Sequence, residues 1–171
     1  YEELGVPDIV RRMTNQTQGL ILVTGKTNSG KSTTLNALIN YINDNENKKI
    51  LTLESPVEYK HKCKKSIIVQ KEVGVGGDVP AYSIGTKNSL REDCDILVIG
   101  EIRDKETMEA AIETAESGHL VIGTLHTKSC AETVDRMINF YEVGDQSQVK
   151  YLIASLLKLV ISQRLIKNNQ C

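Results

Sequence analysis

The feature that most constrains the fold of this chain is a phosphate-binding loop. Residues 25–32 read GKTNSGKS, which fits the pattern Gly-x-x-x-x-Gly-Lys-Ser/Thr at every fixed position. The loop directly follows the apolar run of residues 20–23 and precedes a stretch with helical periodicity. A strand, a glycine-rich turn and a helix in this order aim backbone N–H groups and a helix N-terminus at an anion. The segment therefore predicts that the chain binds a nucleoside triphosphate.

The fixed positions of the loop each suit one part of that ligand. Glycines at the two ends let the backbone turn tightly around the β-phosphate, and the lysine adds a positive charge for the β- and γ-phosphates. The serine hydroxyl suits Mg²⁺, which keeps several waters and needs few protein ligands. The residues expected to bind the nucleotide are Gly25, Thr27, Asn28, Ser29, Gly30, Lys31, Ser32 and Thr33, with Ser32 also expected to bind the metal.

Composition excludes several other classes of function. The net charge is −1, Trp is absent and Phe occurs once, so the chain lacks the basic and aromatic surface typical of nucleic-acid binding. Its apolar runs are shorter than the ~20 residues that span a bilayer, and no charged-then-apolar leader opens the sequence, so we expect a cytoplasmic protein. The four cysteines form no Cys-x-x-Cys pair, which predicts neither a zinc site nor a disulfide framework.

Length and pattern predict one α/β domain. We expect residues 19–171 to form it, and residues 1–18, which are polar and loop-like, to be a linker or the remnant of a preceding domain in a longer protein. Apolar runs bounded by turn residues alternate with helical patterns, which indicates a mainly parallel sheet flanked by helices. The predicted strands are residues 20–24, 50–54, 67–70, 96–99 and 120–125. The predicted helices are residues 31–43, 83–91, 105–117, 131–141 and 146–167, the last with a broad apolar stripe suited to core packing or to a partner interface.

Acidic residues follow two of the predicted strands. The strand at 96–99 leads through Gly100 to Glu101, and the strand at 50–54 ends in Glu54. Ligands of open α/β sheets bind outside the carboxyl ends of the strands, so these carboxylates are expected beside the phosphate loop. We predict Glu101 as a catalytic base that also serves the metal shell, with Glu54 as a second catalytic carboxylate. Two acidic strand ends also imply a strand inserted between the phosphate-loop strand and the strand before Glu101. Glu58 either serves this site or faces solvent.

Three histidines have different expected roles. His126 follows the strand at 120–125 and should lie on the same rim as Lys31 and Glu101, where it could contact the γ-phosphate or water. His119 lies at the other end of that strand, so a direct catalytic role is doubtful. His61 falls in the lysine-rich segment 60–65 and is expected in a solvated basic loop, with an intersubunit contact as the alternative.

These motifs together resemble the secretion ATPase superfamily that powers type IV pili and type II secretion. The resemblance rests on four ordered segments: the phosphate loop, TLESPVEY at 52–59, DILVIGEIRD at 95–104 and SGHLVIGTLHT at 117–127. The strings AESGH at 115–119, VDRMI at 134–138 and VISQRL at 160–165 look most like the retraction branch. A four-cysteine zinc insertion found in many assembly and secretion members is missing, which agrees with that branch.

The resemblance implies a RecA-like ATPase domain that binds ATP with Mg²⁺. It also implies a homohexameric motor, which docks on an inner-membrane pilus platform protein at the cytoplasmic face of the membrane. It also implies arginines supplied by a preceding domain, an interface position for Arg91, and histidines at 119 and 126 that couple the site to its neighbours. Departures are Asn28 in place of a glycine and Ser55 in place of an aspartate. The alternatives are an assembly or type II secretion ATPase, and a non-hydrolysing ATP-binding regulator.

Overall fold

The structure is a computed structural model and describes residues 8–166. This part of the chain forms one parallel sheet with helices on both faces. The strands are β1 (Gly19–Thr24), β2 (Lys49–Glu54), β3 (Ile67–Glu72), β4 (Ile96–Ile99), β5 (Leu120–Leu125) and β6 (Leu157–Ser162). The helices are α1 (Asp8–Thr14), α2 (Lys31–Asn45), α3 (Tyr82–Ser89), α4 (Lys105–Glu116), α5 (Cys130–Asn139) and α6 (Gln146–Leu156).

The strand order explains how distant motifs meet. The order is β3-β2-β4-β5-β1-β6, and every pair runs parallel, so all carboxyl ends lie at one edge of the sheet. The mainly parallel α/β fold is therefore confirmed. A strand does lie between the phosphate-loop strand β1 and β4. That strand is β5, whereas β2 flanks β4 on its other side.

The core has two layers because the central strands are apolar on both faces. In β1, Leu20 and Leu22 face a cluster that contains Met108 of α4, and Ile21 faces a second cluster on the side of α2. All residues of β1, β4 and β5 are buried. A sheet fixed on both faces in this way is a rigid base for the loops at its carboxyl edge.

Helix limits follow local signals. Asp104 caps α4, since its Oδ1 accepts a hydrogen bond from the Thr107 N–H at 2.7 Å. Gly118 after this helix has φ of 102°, the left-handed conformation of a glycine stop. Gly85 lies inside α3 and faces β2, where a Cβ would come within 2.9 Å of the Leu53 side chain. The glycine that weakens the sequence signal for this helix thus allows it to pack closely on β2.

The prediction of one long helix over residues 146–167 is wrong. Helix α6 ends at Leu156, and residues 157–162 form the edge strand β6, which pairs with β1. Leu159 and Ile161 pack into the cluster on the α2 side, while Val160 packs into the other cluster. A strand is favoured over a helix for these residues because it completes the hydrogen bonds along the outer edge of β1, which a helix could not supply.

The loop-like interpretation of the opening segment is also wrong for residues 8–14, which form α1. This helix contacts α2 and β6, and its Val10 is 3% exposed. The segment therefore packs on the domain before the chain enters β1. Residues 1–7 and 167–171, including the last part of the predicted long helix, lie outside the described residues.

Candidate functional site

The loop between β1 and α2 has the backbone conformation that its sequence predicts. Asn28 has φ of 60° and Gly30 has φ of 86°, both in the left-handed region that asparagine and glycine enter at least cost. Lys31 begins α2, and its Nζ donates hydrogen bonds to the carbonyl oxygens of Gly25 and Lys26, each at 2.9 Å. The ammonium group is therefore held against the loop backbone.

A cavity of about 470 Å³ lies between this loop and the carboxyl ends of β2, β4 and β5. Ser32 and Thr33 at the N-terminus of α2 are exposed and line it. Other predicted site residues on its wall are Thr27, Asn28, Gly30, Lys31, Glu54, Glu58, Glu101 and His126. Gly25 and Ser29 line a second cavity of about 430 Å³ beyond the loop, and the Ser29 hydroxyl is turned toward Gly25 and buried.

The backbone around Glu101 is fixed from both sides. The Gly100 N–H donates to the Leu53 carbonyl at 2.8 Å, and the Ile102 N–H donates to the Thr124 carbonyl at 2.9 Å. The first of these bonds reaches β2 and the second reaches β5. Glu101 therefore projects from a point that two neighbouring strands hold in place.

Both carboxylate oxygens of Glu101 have basic partners. Oε1 lies 2.9 Å from Nε2 of His126, and Oε2 lies 2.5 Å from Nη2 of Arg103. Burial raises the pKa of Glu101, but the hydrogen bond from Arg103 and the contact with His126 outweigh it and leave that pKa below its ordinary value. The carboxylate is therefore ionised near neutral pH, and one partner must move before the oxygen it holds can accept a proton.

His126 connects Glu101 to the phosphate loop. Its Nδ1 lies 3.4 Å from the Lys31 Nζ, on the opposite side of the ring from the Glu101 contact. A neutral imidazole with its proton on Nε2 satisfies both contacts, since it donates to the carboxylate and accepts from the ammonium. Burial lowers the pKa of Lys31, and the charge of Glu101 opposes that shift. The predicted grouping of Lys31, Glu101 and His126 on one rim is what the structure shows.

The backbone next to His126 is also anchored. Thr127 is 1% exposed, and its hydroxyl donates to the Thr24 hydroxyl at 2.9 Å and lies 2.6 Å from the Thr133 hydroxyl. The Thr24 hydroxyl in turn donates to the Thr127 carbonyl at 2.9 Å. These buried bonds join the ends of β1 and β5, so the position of the imidazole depends on the strand that leads into the phosphate loop.

Glu54 is a second carboxylate at this edge of the sheet. Its Oε1 accepts hydrogen bonds from the Thr52 hydroxyl at 2.6 Å and from the Gln70 amide at 3.0 Å. Glu58 is exposed and lies on the cavity wall. Carboxylate and hydroxyl oxygens are the ligands that Mg²⁺ takes from proteins, usually one or two together with substrate phosphates. The Ser32 hydroxyl and the carboxylates of this wall therefore fit a magnesium ion that arrives with a nucleotide.

Sequence reasoning missed Tyr82, which lines the same cavity. A Cβ on Gly100 would come within 2.9 Å of the Leu53 carbonyl oxygen and 3.2 Å of the Tyr82 hydroxyl, so residue 100 must lack a side chain. Burial raises the pKa of Tyr82 to about 12, and the charges of Glu101 and Glu54 add to the shift while Arg103 opposes it. The phenol therefore keeps its proton. No motif indicated this tyrosine, since only the fold brings the start of α3 beside the end of β4.

His61 is partly buried, whereas the sequence suggests a solvated loop, and Lys60 and Lys62 beside it are exposed. Its Nδ1 and Nε2 each lie 3.0 Å from an Oδ1 atom, that of Asn40 and that of Asn36, both on α2. Two acceptors suit a protonated ring, yet burial lowers the pKa of His61. Rotation of either amide reconciles the contacts with a neutral ring, which is the form that burial favours. The segment after Glu54 is thus pinned to the helix that follows the phosphate loop.

Two other predicted residues lie away from the cavity. His119 is at the amino end of β5, where its Nδ1 lies 2.9 Å from the Ser117 hydroxyl. Arg91 is exposed in the turn after α3. The next residue, Glu92, bonds through its carbonyl to Lys49 at the amino end of β2. Both residues therefore lie at the edge of the sheet opposite the phosphate loop, and their expected interface roles stay predictions.

Residues 8–166 contain no group of three or more His, Cys, Asp or Glu side chains arranged to hold a metal ion by themselves. Within the same residues, no helix is long and apolar enough to cross a membrane.

The fold and the residues around the loop define a P-loop nucleotide-binding domain. Residues 5–171 match the family described as Type II/IV secretion system protein, and the chain belongs to that family. It is 45% identical over 166 residues to the type IV pilus retraction ATPase PilT of Pseudomonas aeruginosa, covering 97% of this chain and 48% of that protein. It is 44% identical over 168 residues to a twitching motility protein of Neisseria gonorrhoeae, covering 98% of this chain and 44% of that protein.

A solved structure of the pilus retraction motor PilT with bound ADP superposes on this chain with a TM-score of 0.95 and 44% identity, covering 99% of this chain and 49% of that one. These similarities confirm the resemblance to the retraction branch of the superfamily. The chain spans about half the length of the relatives that it matches.

Proposed function

We propose that this domain binds ATP with Mg²⁺ and hydrolyses it to drive retraction of a type IV pilus, the movement that underlies twitching motility. The observation that carries the proposal is the contact chain from Lys31 through His126 to Glu101 on the wall of the 470 Å³ cavity. A phosphate-binding cation and an ionised carboxylate are thus coupled within one site. The names of the relatives and the ADP bound to one of them support the same reading.

Nucleotide binding would use the loop as an anion site. Lys31 exchanges its bonds to the Gly25 and Lys26 carbonyls for the β- and γ-phosphates, and the N-terminus of α2 adds its N–H groups. Ser32 and the cavity carboxylates would hold Mg²⁺, which neutralises phosphate charge that develops in the reaction. Gly25 and Gly30 give the loop the positive φ angles that this wrapping requires.

Glu101 would orient the attacking water and accept its proton. His126 keeps one carboxylate oxygen in place, and the other becomes available when Arg103 swings away. Arg103 is 71% exposed on its side chain, so its departure costs little packing. Glu54, held by Thr52 and Gln70, would order the water or metal shell from the neighbouring strand.

The proposed assembly rests on membership of the family and not on an observation in this single chain. We propose a homohexameric ring in which the nucleotide lies between this domain, residues 19–171, and a preceding domain that supplies arginines, with residues 1–18 leading from one to the other. Arg91 and His119, at the edge of the sheet away from the cavity, would then face neighbouring parts of the ring. The motor would work in the cytoplasm against a pilus platform protein at the inner face of the membrane.

The decisive variant is Glu101→Gln, which keeps the shape of the side chain and removes its basicity. In the full-length protein we expect ATP affinity to be kept and kcat to fall about a hundredfold or more, the scale of general-base catalysis. Glu106→Gln is the matched control, because Glu106 is exposed on α4 away from the cavity. Equal turnover in wild type and Glu101→Gln would remove Glu101 from its role.

The same experiment separates the alternative functions. Tight ATP binding by a wild-type protein without turnover would favour a non-hydrolysing regulator. Turnover that drives pilus extension or type II secretion in cells, instead of retraction, would assign the domain to an assembly or secretion ATPase.

A further inference from the structure

The residue after β6 lies directly against the start of the phosphate loop. The Gln163 N–H donates to the carbonyl of Thr24, the last residue of β1, at 2.8 Å. A Cβ on Gly25 would come within 2.5 Å of the Gln163 carbonyl oxygen. The first glycine of the loop is therefore required by this contact as well as by the phosphate, because no larger residue fits between the two backbones.

The Gln163 side chain reaches the other end of the loop. Its Oε1 accepts a hydrogen bond from the Thr34 hydroxyl at 2.9 Å, and its Nε2 lies 3.0 Å from the position that a Cβ on Gly30 would take. Thr34 is 7% exposed in the first turn of α2, where its N–H bonds to the Gly30 carbonyl at 3.0 Å. One residue thus contacts both end glycines and the first turn of the helix.

We propose that Gln163 is a positioning residue that holds the phosphate loop in its nucleotide-binding conformation. The inference rests on the proposed function and extends it to a residue outside the loop. Glycines at the two ends leave the loop many accessible conformations, and ordering them would otherwise cost binding free energy. A contact that orders the loop beforehand removes part of that cost and raises affinity without touching the ligand.

Gln163 also connects the site to the residues that follow it after β6. Leu165, two residues after Gln163, lines both the 470 Å³ cavity and the cavity beyond the loop. Arg164, between them, donates to the Lys128 carbonyl at 3.2 Å and so stays close to the end of β5. Displacement of this segment would be passed to the loop through Gln163.

A merely structural role makes a different prediction. If the bond between Thr34 and Gln163 only satisfies two polar groups, its loss lowers the melting temperature and leaves nucleotide affinity unchanged. If the side chain positions the loop, affinity falls more than stability does. Gln163→Glu keeps an acceptor for the Thr34 hydroxyl while placing a negative charge beside Gly30, so it tests separately whether this side chain lies next to the bound phosphate.

The test is calorimetric titration of the full-length protein with ATP and Mg²⁺, together with thermal unfolding. For Gln163→Leu we expect affinity to fall about tenfold, the scale of one lost hydrogen bond, and KM to rise more than kcat falls. Gln163→Glu should have a melting temperature near that of the wild type and should bind ATP at least as weakly as Gln163→Leu does. Ser162→Ala is the matched control, because the Ser162 hydroxyl donates to the Lys128 carbonyl at 3.3 Å and does not contact the loop.

Thr34→Val tests the same bond from the helix side and decides the matter if Gln163→Leu does not fold. Its affinity should fall like that of Gln163→Leu, and the double variant should be no weaker than the weaker single variant, since both remove one interaction. Thr34→Ser should restore affinity. Wild-type affinity in Gln163→Leu or in Thr34→Val would overturn the inference about Gln163 and leave the proposed function standing. A wild-type protein that binds no nucleotide would overturn the proposed function, and the inference with it.

Discussion

The Nε2 atom of His126 lies 2.9 Å from Oε1 of Glu101, and this contact joins the carboxyl ends of the neighbouring strands β5 and β4. The other ring nitrogen faces Lys31 at 3.4 Å. Any shift of the lysine toward a phosphate therefore changes the environment of the ring that holds the carboxylate. We infer that phosphate binding and the position of the proposed base are linked through this imidazole.

This link predicts the effect of His126→Ala. Loss of the ring frees Glu101 to rotate, so kcat should fall roughly tenfold or more while ATP affinity changes little. Steady-state kinetics and calorimetry of the full-length protein measure the two quantities separately. His119→Ala, at the far end of the same strand, should keep wild-type ATP affinity. Unchanged kcat in His126→Ala would show that the contact has no part in turnover.

Lys31→Ala tests nucleotide binding itself. The substitution removes the cation that the loop holds through the Gly25 and Lys26 carbonyls. Charge-assisted bonds to phosphate are about twice as strong as neutral ones, so affinity for ATP should fall by tenfold or more. Lys26→Ala, which keeps the backbone carbonyl of an exposed neighbouring lysine, should cost much less. Equal affinities for the two variants would contradict the assigned role of Lys31.

Arg103→Ala should change the pH dependence of turnover. The hydrogen bond from Arg103 is the first of the contacts that lower the pKa of Glu101 against its burial. Without it that pKa rises, so the carboxylate becomes protonated at a higher pH as the solution is acidified. The acid limb of the pH profile of kcat/KM should therefore move to higher pH. Arg103→Lys keeps a positive charge and should move it less, whereas an unmoved limb in Arg103→Ala would mean that another group controls it.

Much of this site followed from the sequence, because its motifs are short and local. A buried strand, a glycine turn and a helix fixed the place of Lys31, and parallel pairing of the remaining strands brings Glu101 and Glu54 to the same edge. Asn28 takes the left-handed conformation that its residue type tolerates. In these cases the residue type predicts the local backbone conformation, and long-range contacts bring the residues together without changing it.

The failures came where distant contacts override the local pattern. Residues 157–162 continue the apolar stripe of α6 without a glycine or proline, so periodicity alone could not mark the change to β6. Pairing with β1, more than a hundred residues earlier, decides it. Tyr82 carries no motif for the same reason, and the string VISQRL that contains Gln163 indicates a family without indicating a role for this residue. The roles of both residues depend on Gly100 and on the loop glycines, which only the folded chain brings next to them.

Tyr82→Phe tests the residue that sequence reasoning missed. Because the pKa of Tyr82 is raised to about 12, its hydroxyl stays protonated and can donate to a phosphate oxygen or to water in the cavity. Removing only the hydroxyl should lower kcat/KM by about tenfold, the scale of one hydrogen bond, and leave the ring packing intact. Tyr151→Phe is the control, since Tyr151 is 80% exposed on α6. Identical kinetics in both variants would leave Tyr82 with a packing role only.

His61 predicts how stability depends on acidity. Burial lowers its pKa in the folded state, against the opposing charge of Glu54, so the unfolded chain takes up a proton first as the pH falls. The stabilising contribution of the neutral ring is thus complete above its ordinary pKa of about 6.5 and declines as the pH falls from there toward the lowered value.

Urea unfolding at a series of pH values should show this decline in the wild type and a flatter dependence in His61→Gln, which cannot titrate. Lys60→Gln, an exposed neighbour in the same segment, should follow the wild-type curve. Because Gln70 bonds to both the His61 N–H and Glu54, loosening this segment at low pH should also reach the second carboxylate of the site. Parallel stability curves for the wild type and His61→Gln would show that the ring is protonated equally in both states, and that its contacts with Asn36 and Asn40 favour neither form.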